Sequence, residues 1–199
     1  MEKRKVSRRS SALTESQVCE AFRTYFDEMD KCARSECYWA LLHLVVVMPD
    51  ICAALEHPKG DTTGARYEGW CAAYWPSRAV SPAKRWQIRC ALLHQGRTVL
   101  RGGDTFSYVR PAPAGSKVHE YVEPDEPIIT LEVGQLAAEV KAGVRRWAAD
   151  LQKAKNAARL ANVERHLPRL AREKPKKLPP KLVPPGTISI DITNSSTSS

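Results

Sequence analysis

The chain has 199 residues, 43% of them hydrophobic, and a formal net charge of +9. That is enough apolar material for one globular domain with a core of its own, plus tails. Six cysteines (Cys19, Cys32, Cys37, Cys52, Cys71 and Cys90) lie in apolar, helix-like stretches, which excludes a small disulfide scaffold.

The charge is unevenly placed. Residues 1–9 carry +4 and residues 153–181 carry +8, while the remainder carries −3. Basic ends on a nearly neutral body suit contact with phosphate backbones, or simple solvation of the ends. No apolar segment directly follows the basic N-terminus, which argues against a secretory signal, and a cytoplasmic protein is the expectation. No C-x-x-C pair exists, and Cys32, Cys37 and His43 match no standard metal spacing. Buried free thiols are the expectation, with no metal and no cofactor.

Residues 1–12 read as a disordered basic N-terminus. Thr14-Glu15-Ser16-Gln17 fits a capping box and opens a first helix, to about Arg34, with Val18, Phe22, Tyr25, Phe26 and Met29 on one face. A second helix starts near Glu36. It is apolar nearly all round, which predicts the central helix of the fold, kinked or restarted at Pro49. Its run LLHLVVVM is eight residues, well short of a membrane span. His43 in it reads as a satisfied core histidine.

Residues 57–64 form a loop, and residues 65–75 a third helix with Tyr67, Trp70 and Tyr74 on one side. Ser81-Pro82 starts a fourth helix and Gly96 stops it. Beyond Gly96 the period changes to short β-prone pieces, predicting a small hairpin or three-stranded flap over 97–131. Within it, His119 and Glu120 read as a solvated hairpin edge. Leu136, Val140, Val144, Trp147 and Leu151 predict a fifth helix running past Leu160 into the basic region. Residues 153–199 read as a basic, Pro-rich extension and tail, in which 188–193 alternates as a strand would.

Within the fourth helix, Trp86, Cys90 and Leu93 make one apolar stripe, flanked by Arg89 and His94. Ile88 and Leu92 point to the opposite side, taking about 100° per residue. A helix apolar on two sides packs inward on one and offers the other to a partner.

Arg89-Cys90-Ala91-Leu92-Leu93-His94 is an R-x-x-x-x-H motif near the end of a helix. In this, and in the order of its helices, the chain resembles the HEPN domains (higher eukaryotes and prokaryotes nucleotide-binding), many of which are RNases. The resemblance covers residues 14–152. It implies a mainly α fold, a HEPN-like bundle of four to five helices spanning 13–152, on which the β-hairpin insertion at 97–131, before the last helix, is an embellishment.

It also implies a metal-independent endoribonuclease with a composite Arg89/His94 site at a homodimer interface, in a toxin or defence setting with a neutralising protein partner. His94 would act as general base or acid, and Arg89 would hold the scissile phosphate of RNA. Gln95, Arg97 and Arg101 would contact substrate along the same rim. Cys90 departs from the polar residue that often follows the arginine in HEPN nucleases. That favours the alternative of a non-catalytic domain binding RNA, nucleotide or a partner. A third reading makes the bundle a dimerising support for nucleic-acid-binding tails. In a purely structural reading, Arg89 pairs with a carboxylate such as Glu36 or Asp50, and His94 caps its own helix.

Overall fold

The computed structural model describes residues 13–77, 79–111, 119–122 and 128–170. The expectations for 1–12, for the tail beyond 170 and for the strand-like 188–193 lie outside these residues.

The capping box at Thr14 forms as read. Gln17 N–H donates to Thr14 Oγ1 (3.3 Å), and Thr14 N–H donates to Gln17 Oε1 (2.9 Å). The first predicted helix is two: α1 (Glu15–Ala21) and α2 (Arg23–Arg34), broken at the buried Phe22. The Phe22 ring packs edge-on against Trp147, 5.8 Å between centroids.

Next comes α3 (Tyr38–Leu55), the central helix, packed against the other long helices. It runs unbroken through Pro49, so no new helix restarts there. Proline offers no N–H to the Val45 carbonyl and its ring crowds that group. Burial of Pro49 and a hydrogen bond from Tyr67 Oη to the neighbouring Val46 carbonyl (3.2 Å) accompany the unbroken helix. At 18 residues and a mean hydropathy of 1.8, α3 is long and apolar enough to cross a membrane by length and composition. That corrects the expectation drawn from its eight-residue run. Within the bundle 56% of it is buried, as befits a core helix. His43 on α3 is half-buried, and its Nδ1 lies 2.8 Å from the Trp39 carbonyl.

Thr63 caps α4 (Gly64–Tyr74), whose Tyr67, Trp70 and Tyr74 are buried. Ser81 caps α5 (Pro82–Gln95), with Pro82 in its first turn. Gly96 stops it at a φ of 58°, in the left-handed region a glycine adopts without strain.

After α5, residues 98–106 turn back on themselves. Phe106 N–H donates to the Thr98 carbonyl (2.9 Å) and Leu100 N–H to that of Asp104 (2.7 Å). Strand β1 (Thr105–Val109) then pairs in parallel with β3 (Ile128–Glu132). β2 (Tyr121–Val122) pairs antiparallel on the other side of β3. The sheet order is β1-β3-β2, so the insertion is a three-stranded sheet with its last strand in the middle, and a simple hairpin does not describe it. His119, read as a solvated edge, is half-buried, with its imidazole covered and 3.2 Å from Glu139 on α6 (Val133–Leu151).

Glu132 ends β3 and caps α6, accepting from the N–H groups of Gly134 and Gln135 (both 2.8 Å). The predicted α6 stripe, Leu136 through Leu151, is buried throughout. The helix stops at Leu151, however, and does not run past Leu160. A separate α7 (Ala157–His166) packs onto α3 and α6. Arg159 seats it by an ion pair to Glu56 and by hydrogen bonds to Tyr74 Oη (2.9 Å) and Asp150 (3.2 Å). Part of the charge assigned to a basic tail is thus neutralised inside the fold. Among the described residues the protein is mainly helical, with seven α-helices and one small sheet.

Candidate functional site

Helix α5 carries the site, and its two sides separate as the angular arithmetic predicts. Ile88, Ala91 and Leu92 are buried. Trp86, Cys90 and Leu93 on the other side are half-buried. α3 adds a second half-exposed apolar stripe, Leu44, Val47 and Ile51.

Arg89 bridges these helices. Its Nε donates to Asp50 Oδ2 on α3 at 2.5 Å, in a contact whose two side chains are only 15% and 9% exposed. Its guanidinium lies over the Trp86 ring, 4.8 Å from the centroid. One Nη1 hydrogen points to His94 Nε2 at 2.7 Å. A guanidinium only donates, so this contact needs Nε2 as the acceptor. Asp50–Arg89–His94 is therefore one hydrogen-bonded chain running from the core to an exposed imidazole.

Charge and burial are balanced along this chain. Burial pushes the Asp50 carboxyl up from its ordinary range, against the pull of the Arg89 hydrogen bond and charge. Burial alone would lower the Arg89 guanidinium, but Asp50 outweighs it and the net shift is upward. Asp50 Oδ1 is buried with no hydrogen-bond partner. Of the two carboxylates the sequence offered to Arg89, Asp50 takes it. Glu36 instead lies 3.8 Å from Arg110, on the surface.

Beside His94 opens a cleft of about 430 Å³ between α5 and the turn that follows it. His94, Gln95 and Arg101 line it together with Trp86, Cys90 and Val99. An ion pair between Lys84 and Asp104 ties that turn to the first turn of α5. Four of the five sequence-predicted residues therefore gather: Arg89 and His94 in contact, Gln95 and Arg101 along the cleft. Arg97 is exposed but does not line it. Its backbone N–H closes α5 on the Ala91 carbonyl (3.0 Å).

Sequence reading missed Arg85, which is buried at 4% exposure, stacks on Trp75 at 3.7 Å and pairs with Glu120. The signal was available. The same 100° per residue places Arg85 at roughly −100° from Trp86, between Arg89 and Leu92 on the inward side.

Chemically, the arrangement offers a fixed cation, an exposed imidazole and an adjoining cleft with an apolar wall and a polar rim. The chain matches no family model, no curated protein and no solved structure.

Proposed function

We propose that this protein is a HEPN-like, metal-independent endoribonuclease whose Arg89 and His94 act at the mouth of the cleft beside α5, as a composite site across a homodimer. The observation that carries the reading is the Asp50–Arg89–His94 chain. A buried carboxylate orients an arginine, and the arginine orients an exposed histidine, next to a cleft rimmed by Gln95 and Arg101. Half-exposed apolar residues on the two helices that Arg89 joins, α3 and α5, leave apolar surface for a second copy to cover.

The side chains suffice for transesterification. Arg89 spends Nε on Asp50 and Nη1 on His94 and, at 4.0 Å, on Cys90 Sγ, and among the described residues its Nη2 makes no hydrogen bond. A phosphodiester accepting from Nη2 and Nη1 would compete with His94 for the guanidinium. Release of Nε2 frees a lone pair to take the ribose 2′-hydroxyl proton as that oxygen attacks phosphorus. The P–O5′ bond breaks, and an imidazole N–H delivers a proton to the leaving 5′-oxygen. Arg89 offsets the charge that builds on the phosphoryl oxygens.

A second reading has its own support. Arg89 is mostly covered and engaged by Asp50, His94 and Cys90, as a residue that only joins two helices would be. In that case the cleft binds RNA or nucleotide without cleaving it.

The test is cleavage of a labelled RNA pool in EDTA by wild type, His94→Ala and Arg89→Lys. His94 is exposed, so its removal leaves the core intact. Lysine keeps a cation for Asp50 but loses the planar fork. Cleavage by wild type that falls about 100-fold or more in both folded variants supports the nuclease. Binding without cleavage in all three supports the second reading.

A further inference from the structure

The polar groups packed between β2 and α6 lie outside the Arg89–His94 site. His119 and Glu120 precede β2, and Glu139 faces them from α6. One ligand atom from each residue can be chosen so that all three lie within 4.8 Å of one another. Successive side chains of an extended segment point to opposite sides. Glu120 departs from that with a φ of 52°.

The histidine is the anomalous member. Its side chain is only 9% exposed, yet neither ring nitrogen makes a hydrogen bond. Nε2 lies 3.2 Å from Glu139 Oε1, close enough for an ion pair, but the carboxylate sits off the direction in which the ring nitrogen points. Burying an imidazole with both nitrogens unsatisfied is costly. A cation about 2.1 Å along the Nε2 lone pair and equally far from Oε1 would bring the two ligand atoms to the observed separation, with an angle of roughly 100° at the ion.

The carboxylates are already oriented. Glu139 Oε2 accepts from Trp75 Nε1 (3.1 Å) and Oε1 from Gln135 Nε2 (3.2 Å). Glu120 accepts from Ser77 Oγ and pairs with Arg85. Each oxygen has two lone pairs, so each keeps capacity for a metal, and these donors stand where a metal site's outer partners stand. Arg85 balances one of the two carboxylate charges, and a dication would meet the other.

The geometry points to a divalent transition-metal site formed by His119, Glu120 and Glu139, with Zn²⁺ as its natural occupant, clamping β2 onto α6. One imidazole and two carboxylates suit zinc and its neighbours, while magnesium and calcium prefer all-oxygen sets. The three protein ligands leave a tetrahedral ion one position for water.

The experiment uses the full chain, stripped with EDTA and dialysed. Zn²⁺ and, separately, Mg²⁺ are titrated by calorimetry, with melting followed in parallel. Wild type should bind one Zn²⁺ and melt higher with it, and Mg²⁺ should do neither. His119→Gln and Glu139→Gln should each weaken Zn²⁺ binding by about tenfold or more. His43→Gln, altering a histidine outside the cluster, should not. Glutamine at 139 still accepts from Trp75, which keeps that variant folded, and circular dichroism checks both. Because six thiols are free, the Co²⁺-loaded chain is examined as well, and its spectrum should lack thiolate charge-transfer absorption. The proposal is overturned if folded wild type ignores Zn²⁺, if His119→Gln binds it as tightly, or if the cobalt spectrum shows thiolate ligation.

Discussion

Removing the Arg89 side chain strands the Asp50 carboxylate in the core, because no other cation is paired with it among the described residues. Breaking a buried ion pair from one side costs about 3 kcal/mol or more, and Arg89→Ala should show that loss in urea unfolding at neutral pH. The sign with pH follows from the direction of the Asp50 shift. Its folded pKa lies above its unfolded value, so protonation favours the fold. The deficit of Arg89→Ala against wild type should therefore be full at neutral pH and shrink as pH falls through the folded pKa of Asp50, where the neutral acid no longer needs the guanidinium. An unchanged deficit in acid would mean that lost packing on Trp86 dominates. This is also why His94→Ala is the cleaner probe of cleavage. Asp150 has the opposite sign. Hydrogen bonds from Tyr74 and Lys153 hold its carboxyl well below the usual range. Its contribution is present above the unfolded value and is lost as pH falls through the folded one. Asp150→Asn should thus destabilise at neutral pH, with the difference from wild type closing only in strong acid.

At the scale of elements, helix ends and stripes were legible because they are local. The Thr14 capping box, the Ser81-Pro82 start, the Gly96 stop and the α6 stripe each depend on residues a few positions apart. The breaks at Phe22 and after Leu151 were not legible, since they depend on what the flanking turns pack against. Arg159 was read as tail charge because Glu56, Tyr74 and Asp150, the groups that bind it, are scattered along the chain. Tyr74→Phe removes the hydroxyl that joins Arg159 to Asp150, and should cost about 1–3 kcal/mol by denaturant unfolding. Gly143 gives a sharper test of the α4–α6 contact. A Cβ there would meet the Tyr74 carbonyl oxygen at 2.8 Å and the Trp70 ring at 3.1 Å. Helix propensity alone favours Gly143→Ala by about 1 kcal/mol. Backbone cannot yield as a side chain can, so the variant should melt below wild type. A variant that melts higher would show that α6 can lift from α4 without penalty.

For the whole molecule, the mainly helical class and the central position of α3 follow from the apolar content of that one segment. The sheet order does not, because pairing between residues more than twenty apart leaves no periodic mark. The Arg89–His94 contact was legible as a motif and Asp50 as one of two candidate carboxylates, but the choice between them needed the helix packing. The basic segment also divides differently. α7 is docked, so a chain cut after residue 152 loses the groups that meet Glu56 and Asp150. A 13–170 fragment should melt near the full chain and a 13–152 fragment well below it. If the ends hold RNA by charge, the 13–170 fragment should also show a shallower salt dependence of RNA binding than the full chain.

The sheet order sets a schedule as well as a shape. Among the described residues β3 is the last strand in the chain, yet it holds the middle place, so β1 and β2 lack the strand that joins them until it is made. Glu132 both ends that strand and caps α6, so sheet closure and the start of the longest helix share one residue. A chain that ends before residue 128 lacks β3 and leaves the β3-facing edge of β1 unpaired, the kind of edge that recruits other chains.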